Sequence, residues 1–185
     1  MRQSRTIIQE SPQNVAIMDV FSRLVQDRII FIDDEIDSEL ANGVIAQMLY
    51  LDSLDDPRPI SVYINSPGGS VMDGLAIYDV AKRCKANITT VCMGMAASMG
   101  AILMLMGDTR CALPHSRIML HEAAGHCGGK TKDARVALKL QEDLEAELFK
   151  IVTDITTIDI NEVKTTDKWY TAEEALEVGL ITKIL

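Results

Sequence analysis

The sequence predicts an α/β fold built around a mostly parallel β-sheet. Short, largely apolar segments rich in β-branched residues, such as residues 60–64 and 88–92, are typical of strands covered on both faces of a sheet. They alternate along the chain with segments whose apolar residues recur at helical spacing. A chain of 185 residues that is 48% hydrophobic is long enough for one domain with a substantial core, so we expect a single domain over residues 1–185.

The first long helix is predicted at about residues 37–54. Leu40, Val44, Met48 and Leu51 recur at three- and four-residue intervals, so their side chains share one face of a helix. We expect this apolar face to lie against the sheet.

The strand at residues 60–64 is expected to end in a glycine-rich turn. Residues 65–69 read Asn-Ser-Pro-Gly-Gly, where proline fixes φ and glycine permits a positive φ, and helical spacing resumes through Ile77 and Val80. Adjacent glycines leave backbone N–H groups bare enough to approach an anionic oxygen. Taken alone, such a turn is more often a tight strand-to-helix connection with no ligand.

A second strand-to-helix turn contains a serine among small residues. The β-branched run at residues 88–91 is followed by Gly-Met-Ala-Ala-Ser-Met-Gly-Ala at residues 94–101 and by an apolar stretch at residues 102–106. An abrupt turn exposes the Ser98 side chain and aims the free amides of the first helical turn at a group approaching it. A nucleophilic serine with an oxyanion hole requires this arrangement, although a helix N-cap in a tight helix–sheet contact is the alternative.

A further long helix is predicted at residues 132–158. Its charged residues lie between apolar ones at helical spacing, which favours either a core helix on the sheet or a helix that extends past the domain and needs a partner. The apolar residues are Val136, Leu138, Leu140, Leu144, Leu148, Ile151 and Val152.

The last helix is expected to begin at Thr171. Thr171 and Glu174 have the spacing of a capping box, in which each side chain binds the other residue's backbone N–H. Gly179 suits the end of this helix because glycine accepts the left-handed conformation found there.

Three histidines are candidates for a general base. His121 closes the alternating run at residues 117–120, so its ring could project from a strand end into a cleft. His115 lies in a predicted loop and His126 lies among glycines, and the local sequence favours His121 over them only slightly. Nothing local singles out Asp167 among the 27 acidic residues.

The composition limits the partners that this protein is expected to bind. The net charge of −9 argues against a nucleic-acid partner and gives no indication of binding to a membrane surface. No apolar run reaches the ~18 residues of a membrane span, and the start lacks the apolar core of a signal peptide, so we expect a cytoplasmic protein. The cysteines have no C-x-x-C spacing and do not suggest zinc; they are Cys84, Cys92, Cys111 and Cys127.

In combination, the two turns resemble the proteolytic subunits of the Clp protease. Residues 65–69 precede residues 94–101 by about thirty positions, and the likeness extends over nearly the whole chain. The other matching segments are residues 21–24, 28–31, 46–51, 113–121, 172–175 and 179–180. The resemblance implies the fold shared by this family and the crotonases, with repeated β-β-α units and a mostly parallel sheet. It further implies a gating segment at residues 1–20 and a protruding handle at about residues 122–158.

Carried over residue by residue, the resemblance also implies a catalytic site. Ser98 would be the nucleophile, His121 the general base and Asp167 the group that orients the histidine. The backbone N–H groups of Gly69 and Met99 would form the oxyanion hole. Cleavage would pass through an acyl-enzyme with no metal or cofactor in this chain.

The implied function is that of a serine endopeptidase that cuts unfolded polypeptides into short peptides. The resemblance implies two stacked heptameric rings that enclose the active sites. An AAA+ ATPase that consumes ATP would feed unfolded protein into this chamber. Composition and periodicity do not indicate this stoichiometry.

Two alternatives and several departures from the family pattern stay open. Glu122 and Ala123 stand where the family usually has Gln-Pro, and residues 107–113 and 156–166 are a few residues shorter than usual. A crotonase relative acting on acyl-CoA would use paired backbone amides but no serine nucleophile. A non-catalytic or specialised subunit of a mixed ring would be marked by loss of a triad residue, and all three are present.

Overall fold

A seven-stranded, mostly parallel sheet forms the centre of the computed structural model, which describes residues 6–10, 15–123 and 129–185. In chain order, the helices and strands of the described residues are β1 (Thr6–Glu10), β2 (Val15–Asp19), α1 (Val20–Gln26), β3 (Ile29–Ile32), α2 (Ser38–Ser53), β4 (Ile60–Ser66), α3 (Val71–Arg83), β5 (Ile88–Ala97), α4 (Met99–Met104), β6 (Thr109–Ala112), β7 (Arg117–Leu120), α5 (Thr131–Ile155), α6 (Ile160–Thr165), β8 (Lys168–Tyr170), α7 (Ala172–Glu177) and β9 (Lys183–Ile184).

The sheet order is β3-β4-β5-β6-β9, and all of these neighbours are parallel. The C-terminal part of the long strand β5 pairs in parallel with β7, and β8 pairs antiparallel with β7. The predicted α/β architecture with a mostly parallel sheet is therefore confirmed. On β3 and β4, however, burial alternates: Ile30, Ile32, Ile60, Val62 and Ile64 of one face are fully buried, whereas the residues between them are half-buried or exposed, so the expected burial on both faces is not complete there.

An antiparallel hairpin of β1 and β2 lies outside the main sheet, with Thr6 opposite Asp19 at its open end. The sequence pattern did not predict these strands. The hairpin falls within the expected gating segment, of which residues 1–5 and 11–14 lie outside the described residues.

The helix predicted at residues 37–54 is observed as α2. Val44, Met48 and Leu51 are buried as expected, but Ala41 completes the buried face in place of Leu40, which is only half-buried. The buried residues from Ala41 to Leu51 are spaced by three, four and three residues, which keeps them on one face of the helix against the sheet. Leu40 lies at the edge of this buried face.

Helix α5 is only partly a core helix. It ends at Ile155, three residues before the predicted end, and its buried residues Leu148 and Val152 lie in its C-terminal half. Val136, Leu138 and Leu140 are exposed by 64%, 49% and 53%, so the N-terminal half presents apolar side chains to solvent. Residues 124–128 of the expected handle region lie outside the described residues.

The capping box predicted for the last helix is confirmed in α7. Thr171 Oγ1 accepts from the Glu174 N–H, and the Glu174 side chain accepts from the Thr171 N–H. Gly179 follows the helix at a φ of +83°, as expected for a helix end. Across the described ranges, no helix combines the length and apolar content needed to cross a membrane.

Candidate active site

Ser98 occupies the turn between β5 and α4. Its φ of +55° and ψ of −123° are rare for a residue with a side chain and cost about 1–3 kcal/mol in general. The Ser98 N–H donates to the Met119 carbonyl of β7 at 2.9 Å, which ties the turn to the neighbouring strand. The abrupt strand-to-helix turn expected from the sequence is therefore present, with its side chain half-buried.

The glycine-rich turn after β4 packs directly against Ser98. Gly68 has a φ of +100°, and a Cβ atom there would lie 2.6 Å from Ser98 Cβ and 3.0 Å from the Met99 nitrogen. The other side of the turn is bound to Ile36, whose N–H donates to the Gly68 carbonyl and whose carbonyl accepts from the Ser70 N–H, each at 2.8 Å. A side chain at Gly68 has no space, so only glycine brings the two turns this close.

Backbone amides of both turns are available to a ligand. The Gly68 N–H donates to Ser66 Oγ at 3.1 Å. By contrast, the N–H groups of Gly69 and Met99 donate to no acceptor among the described residues. Both residues line the same pocket as Ser98, so these amides are suited to bind an oxyanion formed there.

His121 lies beside Ser98. It follows the last residue of β7, and its Nε2 is 2.8 Å from Ser98 Oγ. A nucleophile and a general base require this separation. His115 lies exposed between β6 and β7, and His126 lies outside the described residues. Of the two described candidates, the fold brings His121 to the serine.

Asp167 stands immediately before β8 and is exposed. Within the described residues, no hydrogen bond joins it to His121. His121 and Asp167 nevertheless each adjoin the last residue pair of β7 and β8. Leu120, which precedes His121, is opposite Lys168, which follows Asp167.

An apolar pocket of about 180 Å³ opens beside Ser98 and His121. One wall comes from α5, which contributes Leu148, Phe149 and Val152, and a carboxylate side chain, Glu145, also lines it. Such a pocket suits an apolar side chain of a bound ligand.

Two contacts at this site had no signal in the sequence pattern. Both backbone polar groups of Ala123 are bound by side chains of α5, the N–H by Glu145 and the carbonyl by Gln141. The contacts span 22 and 18 residues, so local periodicity does not reveal them. Glu122, the other departure from the family pattern, is exposed.

The three cysteines among the described residues take no part in this site. Cys92 and Cys111 are buried and Cys84 is half-buried, while Cys127 lies outside the described residues. Burial raises the pKa of the Cys92 thiol to about 11, which leaves it protonated and unreactive near neutral pH. In the part of the chain that the structure describes, no group of three or more His, Cys, Asp or Glu residues could hold a metal ion.

Comparison with known proteins agrees with this geometry. The family model described as Clp protease matches residues 12–185. The chain is 45% identical to the ATP-dependent Clp protease proteolytic subunit of Bacteroides thetaiotaomicron over 97% of its own length and 84% of the relative. For the subunits of the same name from Porphyromonas gingivalis and Bacteroides fragilis, the identities are 46% and 44%, over 98% and 97% of this chain and 84% and 89% of the relatives.

A turn with a strained serine, a histidine at hydrogen-bonding distance and two available amides defines a hydrolase of the serine type. The chain belongs to the Clp protease family, and its enzymatic class is that of a serine peptidase.

Proposed function

We propose that the chain is the proteolytic subunit of an ATP-dependent protease, with Ser98 as its nucleophile and His121 as its general base. The observation that carries this proposal is the 2.8 Å separation of Ser98 Oγ and His121 Nε2 at a strained strand-to-helix turn. The apolar pocket beside the pair supports a peptide substrate, since it can hold the side chain that precedes the scissile bond.

The reaction is acyl transfer from a peptide bond. Ser98 Oγ attacks the carbonyl carbon while His121 Nε2 accepts the hydroxyl proton, which it then gives to the leaving amine. The N–H groups of Gly69 and Met99 bind the oxyanion of the tetrahedral intermediate, and one such donor contributes about 3 kcal/mol. Water then attacks the acyl-enzyme with His121 again as base, and Ser98 regains its proton.

Asp167 is proposed as the residue that orients His121. The β7–β8 register supports this role, because the last pair of the two strands joins Leu120, next to His121, with Lys168, next to Asp167. An aspartate in that role accepts a hydrogen bond from Nδ1 and stabilises the imidazolium that forms during attack.

We further propose that the chain works in an oligomer with an ATPase. The name of its relatives, ATP-dependent Clp protease, supports an ATPase partner that delivers unfolded polypeptide. The exposed apolar side chains on the N-terminal half of α5 support association between copies of the chain. Two stacked heptameric rings in the cytoplasm, with ATP used only by the partner, follow from the family resemblance.

The fluorophosphonate reaction of Ser98 tests the proposal. The probe is expected to label the wild-type chain at Ser98 and to leave Ser98→Ala unlabelled, while light scattering gives the two proteins the same mass. Hydrolysis of a short peptide is expected to fall by about 10⁴-fold or more in Ser98→Ala. Equal labelling of the two proteins would contradict the proposal, and so would cleavage of the peptide by Ser98→Ala at the wild-type rate.

Degradation of an unfolded protein tests the larger assembly. The chain is expected to degrade it only in the presence of a Clp-type ATPase and ATP, whereas short peptides are cleaved without them. A non-catalytic subunit of a mixed ring would cleave neither substrate by itself.

A further inference from the structure

The segment that follows His121 is held by the handle helix α5. The Ala123 N–H donates to Glu145 Oε1 at 3.0 Å, and Gln141 Nε2 donates to the Ala123 carbonyl at 2.9 Å. Gln141 and Glu145 are four residues apart, so they lie on adjacent turns of one helix face. Together they bind both backbone polar groups of a single residue.

These bonds anchor the chain close to His121. On one side of the histidine, Leu120 is paired with Lys168 of β8, and beyond it the chain leaves the sheet. Ala123, two residues after His121, is the next anchored point. The backbone is therefore held on both sides of His121, once by the sheet and once by the helix.

The part of α5 that follows these two side chains is itself packed into the core. Leu148 and Val152, one and two turns beyond Glu145, are buried in the core. Glu145 is also a wall of the pocket that contains Ser98 and His121. A displacement of this part of α5 would therefore move the Ala123 backbone and the pocket wall together.

We propose that Gln141 and Glu145 are positioning residues that hold His121 within hydrogen-bonding distance of Ser98, an inference that rests on the catalytic roles proposed for those two residues. Proton transfer depends steeply on the distance and angle between base and nucleophile. Release of the Ala123 backbone lets the histidine segment shift, and the attack by Ser98 then slows without loss of either group.

Variants that keep the shape of a side chain but change its hydrogen-bond donor or acceptor can distinguish positioning by these bonds from packing alone. Glu145→Gln keeps an oxygen acceptor of nearly the same size for the Ala123 N–H, whereas Glu145→Ala removes it. Gln141→Glu keeps the shape of the side chain, but it removes the N–H donor and places a carboxylate against a carbonyl oxygen. If the positioning of His121 depends on these bonds, Gln141→Glu should slow the reaction of Ser98, whereas Glu145→Gln should slow it much less than Glu145→Ala does.

The experiment uses the full chain in its assembled form. It measures the rate constant for fluorophosphonate labelling of Ser98, the kcat and KM for a short peptide that needs no ATPase, and the mass by light scattering. Gln141→Glu and Glu145→Ala are expected to lower the labelling rate constant and kcat by about 10- to 100-fold at unchanged mass. Glu145→Gln should lose much less than Glu145→Ala because it keeps the acceptor, and Glu142→Gln, an exposed control on the same helix, should stay near the wild type.

The outcomes distinguish this inference from the proposed function. If the wild-type chain is not labelled at Ser98, the proposed function itself is wrong. If the wild type is labelled and Gln141→Glu reacts at the same rate, the inference is wrong while the proposed function stands. The inference is also overturned if the losses accompany a fall in mass, if they are confined to KM, or if Glu145→Gln loses as much as Glu145→Ala.

Discussion

Gly68 and Ser98 lie so close that a Cβ atom on Gly68 would be 2.6 Å from the Cβ atom of Ser98. The two residues are thirty positions apart in the chain and belong to different strand-to-helix turns. Their contact brings the amide-rich turn after β4 onto the serine turn after β5. The separation of the proposed oxyanion donors therefore depends on the absence of a side chain at Gly68.

Gly68→Ala is expected to impair catalysis more than folding. The added methyl group meets Ser98 and the Ala97 carbonyl, and the φ of +100° is strained for alanine, so the two turns must separate. The fluorophosphonate labelling rate should fall by about 100-fold or more, as expected when an oxyanion donor is displaced. Gly43→Ala is the matched control, because Gly43 lies in α2 with no atom within 4 Å of a new Cβ. Equal labelling of the Gly68→Ala and Gly43→Ala variants would contradict this prediction.

Asp167→Asn is expected to lower kcat by about 10²- to 10⁴-fold with little effect on the mass of the assembly. The amide can no longer stabilise the imidazolium that forms when His121 takes the proton. Glu162→Gln serves as the control for charge, since it removes a carboxylate from the neighbouring helix α6 that binds Lys168 Nζ at 2.8 Å. Full activity of Asp167→Asn would remove this residue from the proposed triad and leave Ser98 and His121 as a dyad.

The pocket beside Ser98 predicts a preference for an apolar residue before the scissile bond. Full burial of a leucine side chain contributes about 1.5–3 kcal/mol, which corresponds to roughly 10- to 100-fold in kcat/KM over an otherwise identical peptide with a small polar residue. A peptide with aspartate there should be the poorest, because its carboxylate would be desolvated near Glu145. Comparable kcat/KM values for the leucine and aspartate peptides would show that this pocket does not hold that side chain.

Asp56 predicts a pH dependence of stability in the acid range. Hydrogen bonds from the Arg58 side chain and backbone, with a smaller contribution from charge, hold the pKa of Asp56 at about 2, below its ordinary value. A lowered pKa stabilises the folded state above the ordinary value, and this stabilisation disappears as pH falls from about 4 to about 2. Asp56→Asn should therefore unfold at a lower urea concentration than the wild type at pH 6, and the difference should close by about pH 2.

The neighbouring Asp55→Asn is the control for this measurement. Asp55 is exposed, so its replacement should shift the urea midpoint little at either pH. A difference between Asp56→Asn and the wild type that stays constant from pH 6 to pH 2 would contradict the prediction.

Local chemistry along the chain determined much of what was predicted correctly. The β-branched runs at residues 60–64 and 88–92 form strands as predicted, and the spacing from Val44 to Leu51 specifies a buried helix face. The conformation at Ser98 likewise follows from a strand that meets a helix with small residues between them. Periodicity and turn chemistry act over a few residues, so they can be recognised without knowledge of the fold.

Contacts between distant segments depended on the tertiary structure. The local sequence favoured His121 only slightly over His115, and the parallel pairing of β5 with β7 is what brings His121 to Ser98. The β7–β8 pair places Leu120, next to His121, opposite Lys168, next to Asp167, and the placement of α5 brings Gln141 and Glu145 to Ala123. The sequence by itself determined where the serine and the glycine turn occur. Strand order and helix packing decided which other residues meet them, because these depend on the shape of the whole core.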